Sequence, residues 1–344
     1  MNIVILFGNG LDLGVGLKTT YQDFYMYLME RAKSDSDLAE NSIYKILDKD
    51  VKNNNVNLWS DFECRLGTIT EEFNDSMKKQ LDDDKIYIDQ CLKDYLKKEN
   101  EKINTFHIDG KISLKKALPE ICKCITPDNT DKVTSIFSKH KTETFSLFAI
   151  SFNYTDIVKK VFSLARDAIF YEKIASYPLG SGIYLNPPFY LHGNLLDGDM
   201  IIGVNDSSQI KNSSYADDVL VQNALIKSEL QKQSGQQRIK RFKELIEQSN
   251  LICIYGLSIG ASDKEYWRLI KERLLKDDSL LVIYCHEEAS KVEHIRLRTR
   301  VTDQVKNTFY RNSDANEEEI KIIGNKIVVE INHDIFSKDV IISK

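Results

Sequence analysis

Features of zinc-binding, disordered and membrane proteins are missing from this sequence. Its six cysteines include no CxxC pair, which argues against a zinc ribbon and favours reduced thiols used as small core residues. Five prolines and a mean hydropathy of −0.36 over 344 residues argue against a disordered chain. No apolar run approaches the roughly 20 residues of a membrane-spanning helix, and the first residues do not form a secretory signal. We therefore expect a cytoplasmic protein without a membrane partner.

A surplus of positive charge is also absent. The chain carries 52 acidic and 47 basic side chains, a net charge of −5, which argues against a general attraction to DNA or RNA. The basic cluster RIKRFK at 238–243 could still contact phosphate, although a solvated helix face explains it equally well. No acidic triplet or histidine cluster has metal-ligand spacing, so we expect no metal site and give little support to a metal-dependent nuclease.

Seven short apolar segments predict β-strands. A continuous apolar run such as 2–7 is typical of a strand buried on both faces of a parallel sheet. The segment 263–275 has the length of a crossover helix between two such strands. The predicted fold class is α/β, with a doubly wound, mostly parallel Rossmann-like sheet. The predicted strands are 2–7, 145–150, 189–193, 200–204, 251–256, 280–285 and 326–331.

Strand signals vanish between residues 21 and 140. Apolar residues recur there every three or four positions, from Tyr21 to Leu28 and from Phe62 to Leu81, which predicts one helix for each stripe. Polar segments at 48–57 and 126–132 are typical of loops. We therefore predict a discontinuous α/β domain formed by 1–20 and 141–344. A large helical insertion after the first strand, at 21–140, would then act as a lid or an oligomer interface, and we expect a homo-oligomer.

The first predicted strand runs into a glycine-rich turn, FGNGLDLGVG. Its glycines at positions 8, 10, 14 and 16 match neither G-x-G-x-x-G nor the G-K-[ST] of a P-loop. A strand, a glycine turn and a helix can present backbone N–H groups to an anionic ligand such as a diphosphate. The alternative is a tight structural turn before a helix that Thr19 or Thr20 caps.

Polar motifs follow several of the other predicted strands. They are SFNYTD (151–156), LHGN (191–194), IIGVND (201–206) and YGLSIGASD (255–263). The carboxyl ends of parallel strands gather at one edge of a sheet, where ligands of doubly wound folds bind. The sequence therefore predicts that these motifs converge on one crevice.

The same motifs resemble the AbiH-type abortive-infection proteins of bacterial phage defence. The resemblance runs, in the family's order, through FGNGLDLGVGLKTTY, WSDFE (59–63), FNYT, LHGN, IIGVN and YGLSIGASDKEYW. It covers most of the chain and implies a role in antiviral defence.

The order of motifs is also distantly similar to the sirtuin-like NAD-binding fold. Deacylating sirtuins carry a four-cysteine zinc module after the catalytic histidine, and nothing between 193 and 251 supplies one here. Sirtuin-like domains of bacterial defence systems lack that module and consume NAD, so the resemblance implies NAD as the substrate and its hydrolysis as the reaction. The matching positions are Gly8, Gly10, Gly16-Leu17, Asn153, His192-Gly193 and Gly256-x-Ser258.

This resemblance implies catalytic roles for His192 and Asn153. Cleavage of the nicotinamide–ribose bond develops positive charge on the sugar and needs an oriented ribose and a placed water. His192 would be the general base, because a neutral imidazole accepts a proton near neutral pH. Asn153 would orient the water or the nicotinamide-proximal ribose. The alternatives are a hydrogen-bonded polar residue at a strand end for His192 and an Asx-turn before a helix near Thr155 for Asn153.

Further positions are predicted to bind the nucleotide. Asn9 and Asp12 could bind ribose hydroxyls, with local backbone capping as the alternative. Asn205 could bind the adenosine half, with a simple turn as the alternative. Ser258 could contact a ribose or phosphate, whereas Asp263 is expected to cap the helix that follows it. The predicted cofactor-binding set is Gly8, Asn9, Gly10, Asp12, Gly16, Gly203, Asn205, Gly256 and Ser258.

Trp59 and Glu63 lie four residues apart and would share one face of a helix. They could close the crevice, or Trp59 could be a core residue and Glu63 a charge at a helix start. The predicted function is a phage-defence effector that hydrolyses NAD to nicotinamide and ADP-ribose and waits for a phage-derived trigger. The alternative is a sensor that binds NAD, NADP or an ADP-ribose-like ligand without turnover and signals through an oligomer or partner interface.

Overall fold

A computed structural model describes residues 1–53, 62–162, 183–196, 198, 200–233 and 237–342, together with three short strands between 168 and 178. Ten β-strands lie in these ranges. They are β1 Asn2–Phe7, β2 Phe145–Ser151, β3 Ala168–Ile169, β4 Lys173–Ile174, β5 Tyr177–Pro178, β6 Ile183–Leu185, β7 Phe189–Tyr190, β8 Leu251–Tyr255, β9 Leu280–Cys285 and β10 Ile327–Ile331.

Seventeen α-helices are assigned over the same ranges. None of these helices has both the length and the apolar character needed to cross a membrane. They are α1 Asn9–Gly14, α2 Tyr21–Arg31, α3 Ser36–Glu40, α4 Ser42–Lys52, α5 Phe62–Thr68, α6 Lys78–Ile103, α7 Gly110–Glu120, α8 Pro127–Lys139, α9 Ile157–Val161, α10 Ser213–Ala216, α11 Val219–Leu225, α12 Lys227–Gln233, α13 Arg238–Glu247, α14 Lys264–Leu275, α15 Ile295–Asn312, α16 Glu317–Ile323 and α17 Lys338–Ile341.

Eight of the strands form one sheet. Six neighbours run parallel in the order β6, β2, β1, β8, β9 and β10, while β3 joins β6 antiparallel and β7 pairs in parallel with the end of β2. Phe7 at the end of β1 lies opposite Ser151 of β2 on one side and Tyr255 of β8 on the other. The carboxyl ends of these three strands therefore meet at one edge. The α/β class and the mostly parallel sheet are confirmed.

Helices cover both faces of the sheet because successive side chains of a buried strand point to opposite faces. Ile3, Ile5 and Phe7 of β1 pack with residues of α7, α8, α9 and α17. Val4 and Leu6 pack on the other face with residues of α13, α14, α15 and α16. Every residue from Ile3 to Phe7 is buried, as the continuous apolar run predicts.

A third core lies beside the sheet. It joins α2 to α6 with later residues of the chain, among them Ile202, Val204 and Leu225. In contrast, α7 and α8, which lie within 21–140, pack on the sheet. The division into a domain of 1–20 with 141–344 and an insertion of 21–140 stays a prediction. Helices of the predicted insertion pack on the sheet, and later residues of the chain pack in the core of the predicted insertion.

The structure corrects two predicted loops. Residues 127–132 begin α8, because Thr126 caps the helix through a hydrogen bond from Asn129 N and Pro127 occupies the first turn. Residues 48–52 end α4, and 54–57 lie outside the described residues. Polar composition hid both helices, although the Thr-Pro pair is a helix-start signal.

The predicted helix from Phe62 to Leu81 is interrupted. It is divided between α5, two short 3₁₀ turns and α6, and the Asn74 side chain accepts a hydrogen bond from Ser76 N at the break. The strand predicted at 200–204 is absent, since only Val204 forms a bridge, to Ile226. The strand predicted at 189–193 is limited to β7.

Candidate functional site

The glycine turn is tighter than expected, because α1 begins at Asn9 directly after β1. Gly8 is its N-cap and makes no side-chain cap bond. Gly16 follows α1 with a φ of 94°, a left-handed conformation that favours glycine. The next helix, α2, is capped as predicted by Thr20, whose hydroxyl accepts from Asp23 N in a capping box.

Gly8 and Gly10 make room for another part of the chain. A Cβ on Gly8 would lie 2.4 Å from Leu257 Cα, and one on Gly10 would lie 2.5 Å from Gly256 Cα. Gly10 N also donates to Gly256 O at 2.6 Å. The loop after β8 therefore fills the space that these glycines leave, and packing gives both of them a structural reason.

A polar cavity of about 110 Å³ lies beside this turn, next to the end of β2. Asn153 lines it and donates its side-chain amide to Gly8 O at 2.9 Å. Asn9 also lines it and bonds Thr19 through both the backbone carbonyl and the hydroxyl. Side chains of α2 and α6 form the outer wall of this cavity.

Asp12 is the buried carboxyl of the cavity. Its two oxygens accept from the Thr155 hydroxyl at 2.8 and 2.9 Å. Burial raises the pKa of Asp12 from 3.8 to about 7, and hydrogen bonds from Thr155 and Asn153 oppose part of that rise. A carboxyl with this pKa exchanges its proton near neutral pH, which suits a general acid or base.

His192 is not among the residues that line this cavity. Its ring is 4% exposed and packs edge to face on Phe152, with ring centroids 5.3 Å apart. Phe152 itself borders the cavity. His192 Nε2 lies 3.4 Å from Asp263 Oδ1 and has no hydrogen-bond partner in the described structure.

Asp263 and His192 belong to a buried cluster of four ionisable side chains. Lys227 Nζ lies 2.7 Å from both Glu63 Oε2 and Asp263 Oδ1. Burial alone would raise the pKa of Asp263, but the Lys227 ammonium and the His192 ring lower it overall. Burial raises the pKa of Glu63, and the Lys227 ammonium opposes part of that rise. We call these four residues the buried ion cluster.

A comparison with protein families matches residues 4–285, most of the chain, to the family described as bacteriophage abortive infection AbiH. The chain belongs to the AbiH family. A comparison with curated proteins found no match. The match spans the glycine turn, the polar cavity and the buried ion cluster, so all three lie within the family's common region.

Two predicted binding residues of this AbiH protein have local structural partners. Gly203 packs against the end of α11, where an added Cβ would lie 2.1 Å from Leu225 O. The Asn205 side chain accepts from Glu265 N at 2.9 Å and donates to Asp206. Asn205 therefore supports the first turn of α14.

Ser258 and Gly256 border grooves on the far side of the glycine turn. A groove of about 480 Å³ contacts Ser258, and one of about 340 Å³ extends over Asp334. Both share Gly10, Gly256 and Tyr284 at the ends of β1, β8 and β9. Their volumes are in the range of small-molecule sites.

Most of the predicted site residues thus fall into three places, namely the polar cavity, the grooves and the buried ion cluster, whereas Gly8, Gly16, Gly203 and Asn205 line none of them. Asp263 occupies the N-cap position of α14, but its side chain makes no cap bond and instead pairs with Lys227. The expected capping role is therefore wrong. Trp59 lies outside the described residues. Sequence reasoning missed Lys227, which stands alone at the start of α12 without a recognisable motif, and Thr155, whose place two residues after Asn153 could have indicated it.

Proposed function

We propose that this AbiH protein is an abortive-infection effector that binds NAD or a related nucleotide at the carboxyl edge of its sheet and hydrolyses it to nicotinamide and ADP-ribose. Family membership supports the defence role. The observation that best supports nucleotide binding is the polar cavity, where Asp12 and Asn153 lie together beside the first turn. The strand order β6-β2-β1-β8-β9-β10 also supports the proposal, because it reverses direction between β1 and β8, and ligands of doubly wound sheets bind at such a point.

The two sides of the glycine turn suit different halves of the nucleotide. The larger grooves beside Gly256 and Ser258 have room for the adenosine half, whereas the small cavity suits the nicotinamide-proximal ribose. Asn153 would orient that ribose or the attacking water. Asp12 would accept a proton from it, since its pKa of about 7 matches neutral conditions.

His192 would take over the general-base role from Asp12 only when Phe152 moves, because Phe152 contacts its ring and borders the cavity. A phage-derived trigger would supply that movement, in keeping with an effector that rests inactive. The sirtuin-like resemblance motivates this role for His192.

A sensor without turnover is the second candidate. It is favoured by the packing of Gly8 and Gly10 against Gly256 and Leu257, which occupies the place of a phosphate cradle. The separation of His192 from the polar cavity favours it too. Such a protein would bind the nucleotide and pass the signal to an oligomer or partner interface.

One experiment separates the candidates. Purified protein is incubated with NAD, alone and in extract from phage-infected cells, and nicotinamide is separated by chromatography. Hydrolysis predicts nicotinamide release that Asn153→Ala abolishes and Asn186→Ala retains. Asn186 also donates its side-chain amide to a backbone carbonyl, that of Leu147, but does not line the cavity. A rise in melting temperature with NAD and no nicotinamide indicates the sensor. If neither nicotinamide release nor a thermal shift is observed in any condition, both candidates are contradicted.

A further inference from the structure

A groove on the surface beside β2 and β7 combines aromatic and basic side chains. Its volume is about 550 Å³, with Phe148 and Phe189 of the sheet on one side and a face of α13 on the other. We call it the basic aromatic groove. Its defining residues are Phe148, Phe189, Arg238, Lys240, Arg241 and Glu244.

The charge of this groove is opposite to that of the whole chain. Among the described residues that line it, the exposed Lys240 and Arg241 are basic and Glu244 is acidic, whereas the chain carries a net charge of −5. Arg238 also lines the groove but is buried, at 5% exposure. A local cluster of positive charge on an acidic protein favours a ligand with negative charge.

The aromatic rings narrow the kind of anion. The Arg241 guanidinium lies 4.9 Å from the centroid of the Phe189 ring, and both sheet phenylalanines are partly exposed. A guanidinium over a partly exposed phenyl ring offers two flat groups of the kind on which nucleic-acid bases stack. An acidic peptide would pair with the cations but would bring no flat base to stack on these groups.

We propose that the basic aromatic groove binds single-stranded nucleic acid, with a base stacked on Phe189 and backbone phosphates at Lys240 and Arg241. Such sites combine a positive groove with aromatic rings and tolerate most sequences, because every base has a π face. The proposal is independent of NAD hydrolysis, since no residue of the groove lines the polar cavity or belongs to the buried ion cluster.

Fluorescence anisotropy with a labelled 20-nucleotide oligo-dT and the full chain tests this binding in a salt series. Arg241→Glu should weaken binding at least about tenfold and make the slope of log K against log salt shallower by roughly 0.7. Phe189→Leu should weaken it about fivefold or more through lost stacking. Lys243→Glu is the matched control: it lies on the same helix, pairs with Glu247 and does not line the groove, so a change below about twofold is expected.

Several outcomes would overturn the proposal. They are absence of oligo-dT binding by the native chain, equal losses for Arg241→Glu and Lys243→Glu, and unchanged affinity for Phe189→Leu. Competition by polyglutamate as strong as that by unlabelled oligo-dT would indicate an acidic protein partner, and equal competition by dTMP a free nucleotide. Thermal melting checks the fold of each variant, and Lys240→Glu, at another exposed position, carries the same expectation if Arg241→Glu does not fold.

Discussion

Replacing Asp12 by Asn should change stability in opposite directions at low and high pH. Burial holds the pKa of Asp12 at about 7 in the folded chain, against 3.8 for the ordinary carboxyl. Between these two values the unfolded chain has released the proton and the folded chain has kept it, so the native protein loses stability as pH rises. At 1.36 kcal/mol per pKa unit, the total loss is about 4 kcal/mol by pH 8.

The side-chain amide of the Asp12→Asn variant cannot ionise, so this loss is absent from the variant. In the variant one of the two oxygens that contact Thr155 becomes an NH2 group, which cannot accept its hydroxyl, at a cost of about 1 kcal/mol that does not depend on pH. The variant should therefore be about 1 kcal/mol less stable than the native protein at pH 4 and about 3 kcal/mol more stable at pH 8.

Urea unfolding at each unit from pH 4 to pH 8 measures this difference. Asp37→Asn is the control, because Asp37 is exposed in the first turn of α3 and its replacement should stay within about 0.5 kcal/mol of the native stability. A difference between native and Asp12→Asn that is constant over the whole range would refute the account of a buried, protonated carboxyl.

The other stability predictions concern the buried ion cluster and the glycine turn. Lys227→Met should lower the free energy of unfolding in urea by about 3–5 kcal/mol, because it leaves two buried carboxylates without their cation. Lys232→Met on the same helix removes an exposed ion pair and should lower it by less than about 1 kcal/mol. Equal losses in the two variants would argue against the buried ion cluster. Gly10→Ala should lower the free energy of unfolding by about 1–3 kcal/mol or more, because the added Cβ would clash with the loop after β8. In Gly14→Ala the added Cβ meets nothing within 4 Å, so this variant should be neutral or more stable by up to about 1 kcal/mol. A Gly10→Ala variant of native stability would contradict the close contact between Gly10 and Gly256.

The sheet was predictable because its strands are short apolar runs with clear ends. β1 and β9 match their predicted bounds, and α14 begins one residue after its predicted start. The helix at Pro127 was missed because its exposed face is polar, and periodicity alone could not show the break near Asn74. Local pattern carries little information where a side chain acts through a distant partner.

Only part of the candidate site was predictable, namely the part whose residues lie at the ends of recognisable strands. Asn153 and Asp12 follow strand ends, and parallel pairing of β1 with β2 brings them together. The pairing of Lys227 with Glu63 joins residues 164 apart in the chain, between elements whose packing no motif specifies. Asp263 shows the limit of local sequence patterns. Its position at the start of a helix predicts capping, but its carboxylate accepts a hydrogen bond from Lys227 instead.

Glycines at a strand end can serve a ligand or the chain itself, and the geometry here decides how a ligand could bind. A pyrophosphate needs the space over Gly8 and Gly10, but Gly256 and Leu257 already lie within 2.5 Å of where a Cβ would stand. Under the proposed function, and unless that loop moves, a nucleotide would pass beside the turn, with contacts at Asp12 on one side and at the grooves on the other. Gly8 and Gly10 therefore join two strand ends here, and their presence in the turn does not by itself indicate a bound phosphate.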